Sequence, residues 1–198
     1  MKKHLRLLTA IVLLIMFMNI SCEKDDNNSP LAQLEQIKGT GYFPMQVGNK
    51  WKLSNLPEKV IDKIVNINGT DYFRMIDGDT NYYRQTNDGK IYVKGTNTEE
   101  ILKFDLSAET GHTWDYTIEG SADTWQVSLL SKNDTIKLDN HTFYNCYRFY
   151  YNIPQFADEE YIIWLAPDLG FVEIIYMGGT GNRNKLEAAT INGINIEF

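Results

Sequence analysis

The sequence predicts an all-β protein: an antiparallel sandwich or half-barrel of about ten to twelve strands, built from two similar modules and preceded by one short N-terminal helix. Turn-forming pairs punctuate the chain at Asn68-Gly69, Asp77-Gly78, Asp88-Gly89, Asn133-Asp134 and Asn192-Gly193, between runs rich in Val, Ile, Tyr, Phe and Thr. Inside the runs the side chains alternate. In "DTWQVSLL", Trp125, Val127 and Leu129 fall on one face and Thr124, Gln126 and Ser128 on the other, as a strand with one wet face requires. Aromatic residues make up 13% of the chain, and Tyr and Trp suit half-buried pleated surfaces.

The elements follow in order from the N-terminus. Lys2, Lys3 and Arg6 precede a nearly unbroken apolar run over residues 7–18, which fits a signal peptide and is short for a membrane span. A small residue, Ser21, and then Cys22 follow. This arrangement resembles the cleavage site of bacterial lipoproteins, except that Asn19 stands where that family usually has Leu. The resemblance implies a signal peptide over residues 1–21 and acylation of Cys22 as the mature N-terminus. Glu23-Lys24-Asp25-Asp26 resembles the tag that directs Bacteroidetes lipoproteins to the outer face of the outer membrane. Several acyl chains on one cysteine hold a protein stably to a bilayer, where a single chain would be marginal. With Cys22 acylated, Cys146 has no partner in the chain, and its place in a strand pattern reads as a small buried hydrophobe.

Residues 22–41 read as a lipidated tether with a short helix. Ser29-Pro30 supplies a cap and a first-turn proline, Leu31, Leu34 and Ile37 recur at helical spacing, and Gly39 can close the element. Residues 42–198 read as one β domain. Within it "GNKWKL" (48–53) is echoed by "GHTWDY" (111–116), and "YYRQTNDGKIYV" (82–93) more loosely by "YIIWLAPDLGFVEI" (161–174). The matched order predicts pseudo-repeats over about 48–108 and 111–198 sharing one core, neither half being large enough to stand comfortably alone.

These strings also carry a wider resemblance. "YFPMQVGNKWKL", "GKIYVKGTNTEEILKFDLSAETGHTWDY" and "YIIWLAPDLGFVEIIY" are similar to a group of Bacteroidetes lipoproteins and secreted proteins that shows PL-x-VG-x-x-W, lyDF…GdtW and apGvGlV in this order. The resemblance covers most of residues 42–176, with departures at Met45, Phe104-Asp105 and Asp168-Leu169. The group carries no assigned activity, so it implies a fold and an address rather than a chemistry.

Composition and motifs narrow the function mainly by exclusion. The formal charge is −7. The leader holds three of the nineteen basic residues and no acid, so the remainder balances sixteen against twenty-six, or −10. Such a body repels nucleic acid, and no basic cluster offsets it. No Gly-x-Ser-x-Gly elbow, CxxC or HExxH occurs, and beyond the leader the only histidines are His112 and His141. "DGDTN" alternates Asp77, Asp79 and Asn81 as calcium loops do, but Tyr82 and Asp88 stand where an EF-hand needs Gly and Glu, so a hairpin turn is the better reading. "GGTGNRNK" (178–185) lacks the ending of a phosphate loop and reads as a connection between strands. No cofactor and no metal site are expected.

Two stretches point to binding. "NIPQFADEE" puts Ile153 and Phe156 in a predicted loop, where apolar tips often mark contact surfaces. "FYNCYRFYY" carries rings on both faces, with Phe143, Tyr147, Phe149 and Tyr151 on one and Tyr144 and Tyr150 on the other. One face fills the core, and the other is either covered by a second layer or a platform for sugar rings or a partner. The expectation is therefore an outer-membrane lipoprotein, exposed at the cell surface and held there through Cys22. Its expected role is non-enzymatic: binding of a glycan, lipid or protein partner, or service as an accessory module of an envelope complex. The alternatives are an envelope or polysaccharide hydrolase using acids such as those at 158–160, and a lipid or lipoprotein carrier. A deep cleft with converging carboxylates would favour the enzyme, an enclosed apolar cavity the carrier, and a shallow aromatic surface the binding module.

Overall fold

The computed structural model describes residues 30–198 apart from 97, 119–120, 140, 157–158 and 179–180. The signal segment, Cys22 and the tether before residue 30 lie outside the described residues. One helix, α1 (Pro30–Gln36), leads into strands β1 (Lys50–Leu53), β2 (Lys59–Ile67), β3 (Thr70–Ile76), β4 (Thr80–Gln85), β5 (Lys90–Lys94) and β6 (Ile101–Asp105). There follow β7 (Thr113–Thr117), β8 (Thr124–Leu138), β9 (His141–Asn152), β10 (Tyr161–Ala166), β11 (Gly170–Tyr176), β12 (Arg183–Ile191) and β13 (Ile194–Glu197). All neighbouring strands pair antiparallel, in the order β6-β5-β4-β3-β2-β1-β12-β11-β10-β9-β8-β7, with β13 added to β12. The thirteen strands among the described residues form a nearly closed barrel-like sheet.

The topology is two six-stranded meanders, β1–β6 and β7–β12, joined by pairing of β1 with β12 from Lys50↔Thr190 to Leu53↔Leu186. The two Gly-x-x-Trp strings lie on β1 and β7, the first strand of each meander. The other echoed pair lies on β4–β5 and β10–β11, the fourth and fifth strands of each. Where β6 and β7 face each other, side chains close the gap. Trp114 Nε1 donates to Leu102 O at 2.9 Å, and the Tyr151 hydroxyl donates to Lys103 O at 2.6 Å. Both donors satisfy carbonyls of an edge strand that would otherwise be open to another chain.

Local chemistry accounts for the turns. Asn68-Gly69 and Asn192-Gly193 both have positive φ at both residues, the backbone that two-residue hairpins between twisted strands need. Asn133-Asp134 behaves otherwise: it lies inside β8, not at a turn. There the pairing with β9 shifts register three times between Leu129 and Ile136, and Asn145 on β9 takes φ 58°. The turn-forming residues are used for bulges, which bend the hairpin. Its distal half lies against β10 and the C-terminus. Trp164 Nε1 donates to Asp134 Oδ2 at 2.9 Å, and Phe143 and His141 pack edge-on to Phe198. This second layer buries Cys146 completely, and burial pushes its thiol pKa up to about 12, so it is inert at neutral pH.

The N-terminal segment closes one end of the barrel. Ile37, just after α1, is buried, and Phe43 sits among Tyr83, Phe104 and Phe171 with ring centroids 5.3–5.6 Å apart. The β10–β11 turn holds the segment in place. Gly41 N donates to Asp168 Oδ1 and Asp168 N to Gly41 O, both at 2.9 Å, and Thr40 Oγ1 donates to Asp168 O at 2.7 Å. Fully buried Trp51 donates Nε1 to Leu169 O at 2.6 Å. Gly170 is forced at this corner: its φ is +87°, and a Cβ there would lie 3.0 Å from Trp51 Nε1 and 3.3 Å from Pro44.

Candidate functional site

Alternate turns of a meander lie at the same end of a barrel. The end opposite Phe43 is therefore formed by the connections β1–β2, β3–β4, β5–β6, β7–β8, β9–β10 and β11–β12. Strand alternation turns one side chain in two towards the interior, and at this end the inward positions hold Tyr116, Trp125, Tyr161 and Tyr176 from the second meander. Facing them from the first are Lys59, Asp77, Asn81 and Lys103. Together they surround a cavity of about 360 Å³, the size of a small-molecule site, with Tyr83 and Phe171 towards the floor made by Phe43. A smaller pocket of about 160 Å³ shares Asn81, Val93, Ile101 and Ile118 with it and reaches Thr98 and Glu99.

The rings form one continuous cluster. Tyr151 lies under Tyr161 with centroids 4.5 Å apart and planes 4° from parallel; Trp125 meets Tyr161 edge-on at 5.5 Å, Tyr116 stacks on Trp125 at 6.3 Å, and Tyr176 lies 5.8 Å from Tyr161. Burial raises the pKa of Tyr116 and Tyr161, so both are neutral donors at physiological pH.

The two lysines differ. Lys59 pairs with Asp77 at 2.7 Å, with its ammonium 5.4 Å from the Phe171 ring centroid, and Asn81 Nδ2 donates to the other oxygen of Asp77. Lys103, on β6, donates to the Tyr161 hydroxyl at 2.9 Å and lies 4.3 Å and 5.3 Å above the ring centroids of Tyr151 and Tyr161. No carboxylate pairs with it among the described residues. It is half-buried in the cavity wall, and this desolvation lowers its pKa from the ordinary lysine value.

The residues singled out from the sequence fall elsewhere. Ile153 is buried at 5% exposure, so of that loop pair only Phe156, at 48%, offers a ring to solvent. Tyr144 is exposed on the bent hairpin, while Tyr150 is half-buried and bonded to Glu160. Six residues of strand, roughly 20 Å, separate these two tyrosines, so they do not form one surface. Cys22 and Asp158 lie outside the described residues. Among the described residues no group of three or more His, Cys, Asp or Glu converges as metal ligands would. Asp77, the first acid of "DGDTN", has both oxygens engaged by Lys59 and Asn81.

One signal could have found the cavity. Tyr116 ends β7 and precedes β8, Trp125 and Tyr161 begin their strands, and Tyr176 ends β11. Numbering the turns of a meander alternately assigns all four to one end.

No protein-family model and no curated protein matches the chain. Among solved structures, the crystal structure of a presumed lipoprotein from Parabacteroides distasonis ATCC 8503 is similar, with 13% identity, 75% of this chain and 98% of that chain covered, and a TM-score of 0.36. A likeness of that degree fixes neither fold nor function for this chain.

Proposed function

We propose that this is a lipid-anchored protein of the cell envelope that binds a sugar-like ring compound in the mouth of its barrel. The observation that carries the reading is the cavity itself, in which a wall of packed rings faces a wall of polar side chains. The C–H face of a sugar ring packs on flat aromatic surfaces, while its hydroxyls seek groups such as Asn81, Asp77 and the tyrosine phenols. The anchor rests on the resemblance around Cys22. The segment that follows it docks at the closed end, which leaves the mouth opposite the point where the chain enters the barrel.

The alternatives fit less well. An acyl chain would have to lie against Lys59, Asp77, Asn81 and Lys103, at a desolvation cost that hydrocarbon cannot repay. Hydrolysis by paired acids needs two carboxylates across the substrate, and the lining of this cavity has one, Asp77, held by Lys59.

Titration of the full-length protein in detergent with a panel of neutral and acidic mono- and oligosaccharides, followed by tryptophan fluorescence, tests the site. Saturable binding that W125A abolishes, with the melting temperature little changed, is expected. Binding of a fluorescent fatty acid with none of the sugars would replace this reading by that of a carrier. Metabolic labelling with an alkyne-tagged palmitate, lost in C22A, tests the anchor separately.

A further inference from the structure

The charge inside the cavity does not balance. Lys59 is ion-paired with Asp77, which acts on Lys103 only as a more distant charge, and the phenols around Lys103 are neutral, so the described lining carries one net positive charge. The sequence as a whole is acidic, at −7. A half-buried ammonium without an ion-pair partner has lost part of its hydration, and a hydroxyl and two ring faces recover only some of it. Partly desolvated charges that line a cleft cluster at functional sites.

The position of Lys103 is also fixed from both ends by one residue. Tyr151 is fully buried. Its hydroxyl binds the Lys103 carbonyl at 2.6 Å, while its ring lies 4.3 Å beneath the ammonium. The lysine stem cannot swing out to solvent without leaving that ring, so the charge is preorganised towards the cavity. Next to it stand Tyr161 and, beyond it, Trp125, two aromatic side chains that line the same cavity.

Resting on the sugar-binding reading above, we infer that the ligand is an acidic sugar, a uronic-acid residue whose carboxylate pairs with Lys103 while its ring lies against Tyr161 and Trp125. The Lys59–Asp77 pair and Asn81, on the opposite wall, then meet hydroxyls, because the cation there is already satisfied. A carboxylate on an alkyl chain would satisfy Lys103 equally well but would leave that polar wall facing hydrocarbon.

The test uses the full-length protein in detergent and isothermal titration with glucuronate, galacturonate and mannuronate trisaccharides, their neutral counterparts, and laurate. At least one acidic trisaccharide is expected to bind ten-fold or more tightly than its neutral partner. K103M is expected to erase that preference and K103R to retain part of it, with melting temperatures reported for both variants to show that they are folded. Equal binding of acidic and neutral sugars, or a preference that survives in K103M, overturns the assignment of Lys103 and leaves the sugar-binding reading standing. Binding of laurate alone, or of none of these probes, overturns both.

Discussion

At the closed end of the barrel polar atoms meet polar atoms and rings meet rings. Trp51 Nε1 is held by Leu169 O, Asn49 by Pro44 O and the Asn192 amide, and Asp168 by Gly41 and Thr40. At the mouth, residues of the same kinds face an open volume, where Lys103 finds a hydroxyl and two ring faces and Trp125 packs with Tyr116 and Tyr161 beside the cavity. The first arrangement repays the cost of ordering the chain. The second repays less of it, and leaves groups whose interactions a ligand can complete. Stability and binding are thus separated along the barrel axis, and substitutions at the two ends should differ in size and in kind.

The largest effect is expected from W51A. It removes a fully buried indole that packs on Phe43 and Phe171 and leaves Leu169 O without its donor. A loss of about 3–5 kcal/mol is expected in urea denaturation. A loss under about 1 kcal/mol would show that the closed end does not hold the barrel together. G170A comes next. Its methyl group would meet Trp51 Nε1 at 3.0 Å from a backbone at φ +87°, and about 2 kcal/mol is expected by the same measurement. A neutral outcome would mean that Trp51 can retreat, and with it that the corner is looser than its hydrogen bonds suggest.

That corner is also where the sequence was most legible. The strings that resemble the Bacteroidetes group supply Phe43, Trp51, Leu169, Gly170 and Phe171, and these residues meet one another at the closed end. Such strings can be read locally because a tight turn, a glycine and a large ring each impose their own geometry. Alternation in "DTWQVSLL" was legible for the same reason: Trp125 lines the cavity, and Val127 and Leu129 are buried behind it. The cavity was not legible, because Lys103 and Tyr161 are 58 residues apart and only closure of the sheet brings them together. Ile153 was misplaced because a proline-flanked apolar residue reads the same whether it tips outward or anchors its loop. Likewise, nothing local in "FYNCYRFYY" shows that β9 enters from the closed end, which leaves Tyr144 far from the mouth.

Between the two ends lies the seam of β6 and β7, where a smaller effect is expected. Y151F keeps the ring under Lys103 and removes the hydroxyl that holds the Lys103 carbonyl. About 1 kcal/mol should be lost on thermal or urea unfolding, together with faster hydrogen exchange in β6 and not in β1. Equal changes in both strands would mean that the barrel opens as a unit rather than at this seam.

The smallest effect, K103M, should have the opposite sign. In the unfolded chain Lys103 keeps its proton up to about its ordinary value of 10.5; in the barrel, burial lowers that value, with Tyr116 and Asp77 opposing in part. Across the window between the lowered and ordinary values the unfolded state binds more protons, so stability rises with pH there. Below the window the folded protein bears the full cost of holding the partly desolvated charge. K103M removes that cost and should be more stable than the parent at pH 7 by up to about 1 kcal/mol, the gap narrowing as pH approaches 10.5. The phenols of Tyr116 and Tyr161, raised by burial, make stability fall above about pH 10 in both proteins, so the difference between the two curves isolates Lys103. Urea denaturation of both proteins from pH 7 to 10 checks this. A parent more stable than K103M at pH 7 would mean that the Tyr161 hydroxyl and the Tyr151 ring already compensate the ammonium. The mouth would then obey the rule of the closed end, and its charge would need no ligand.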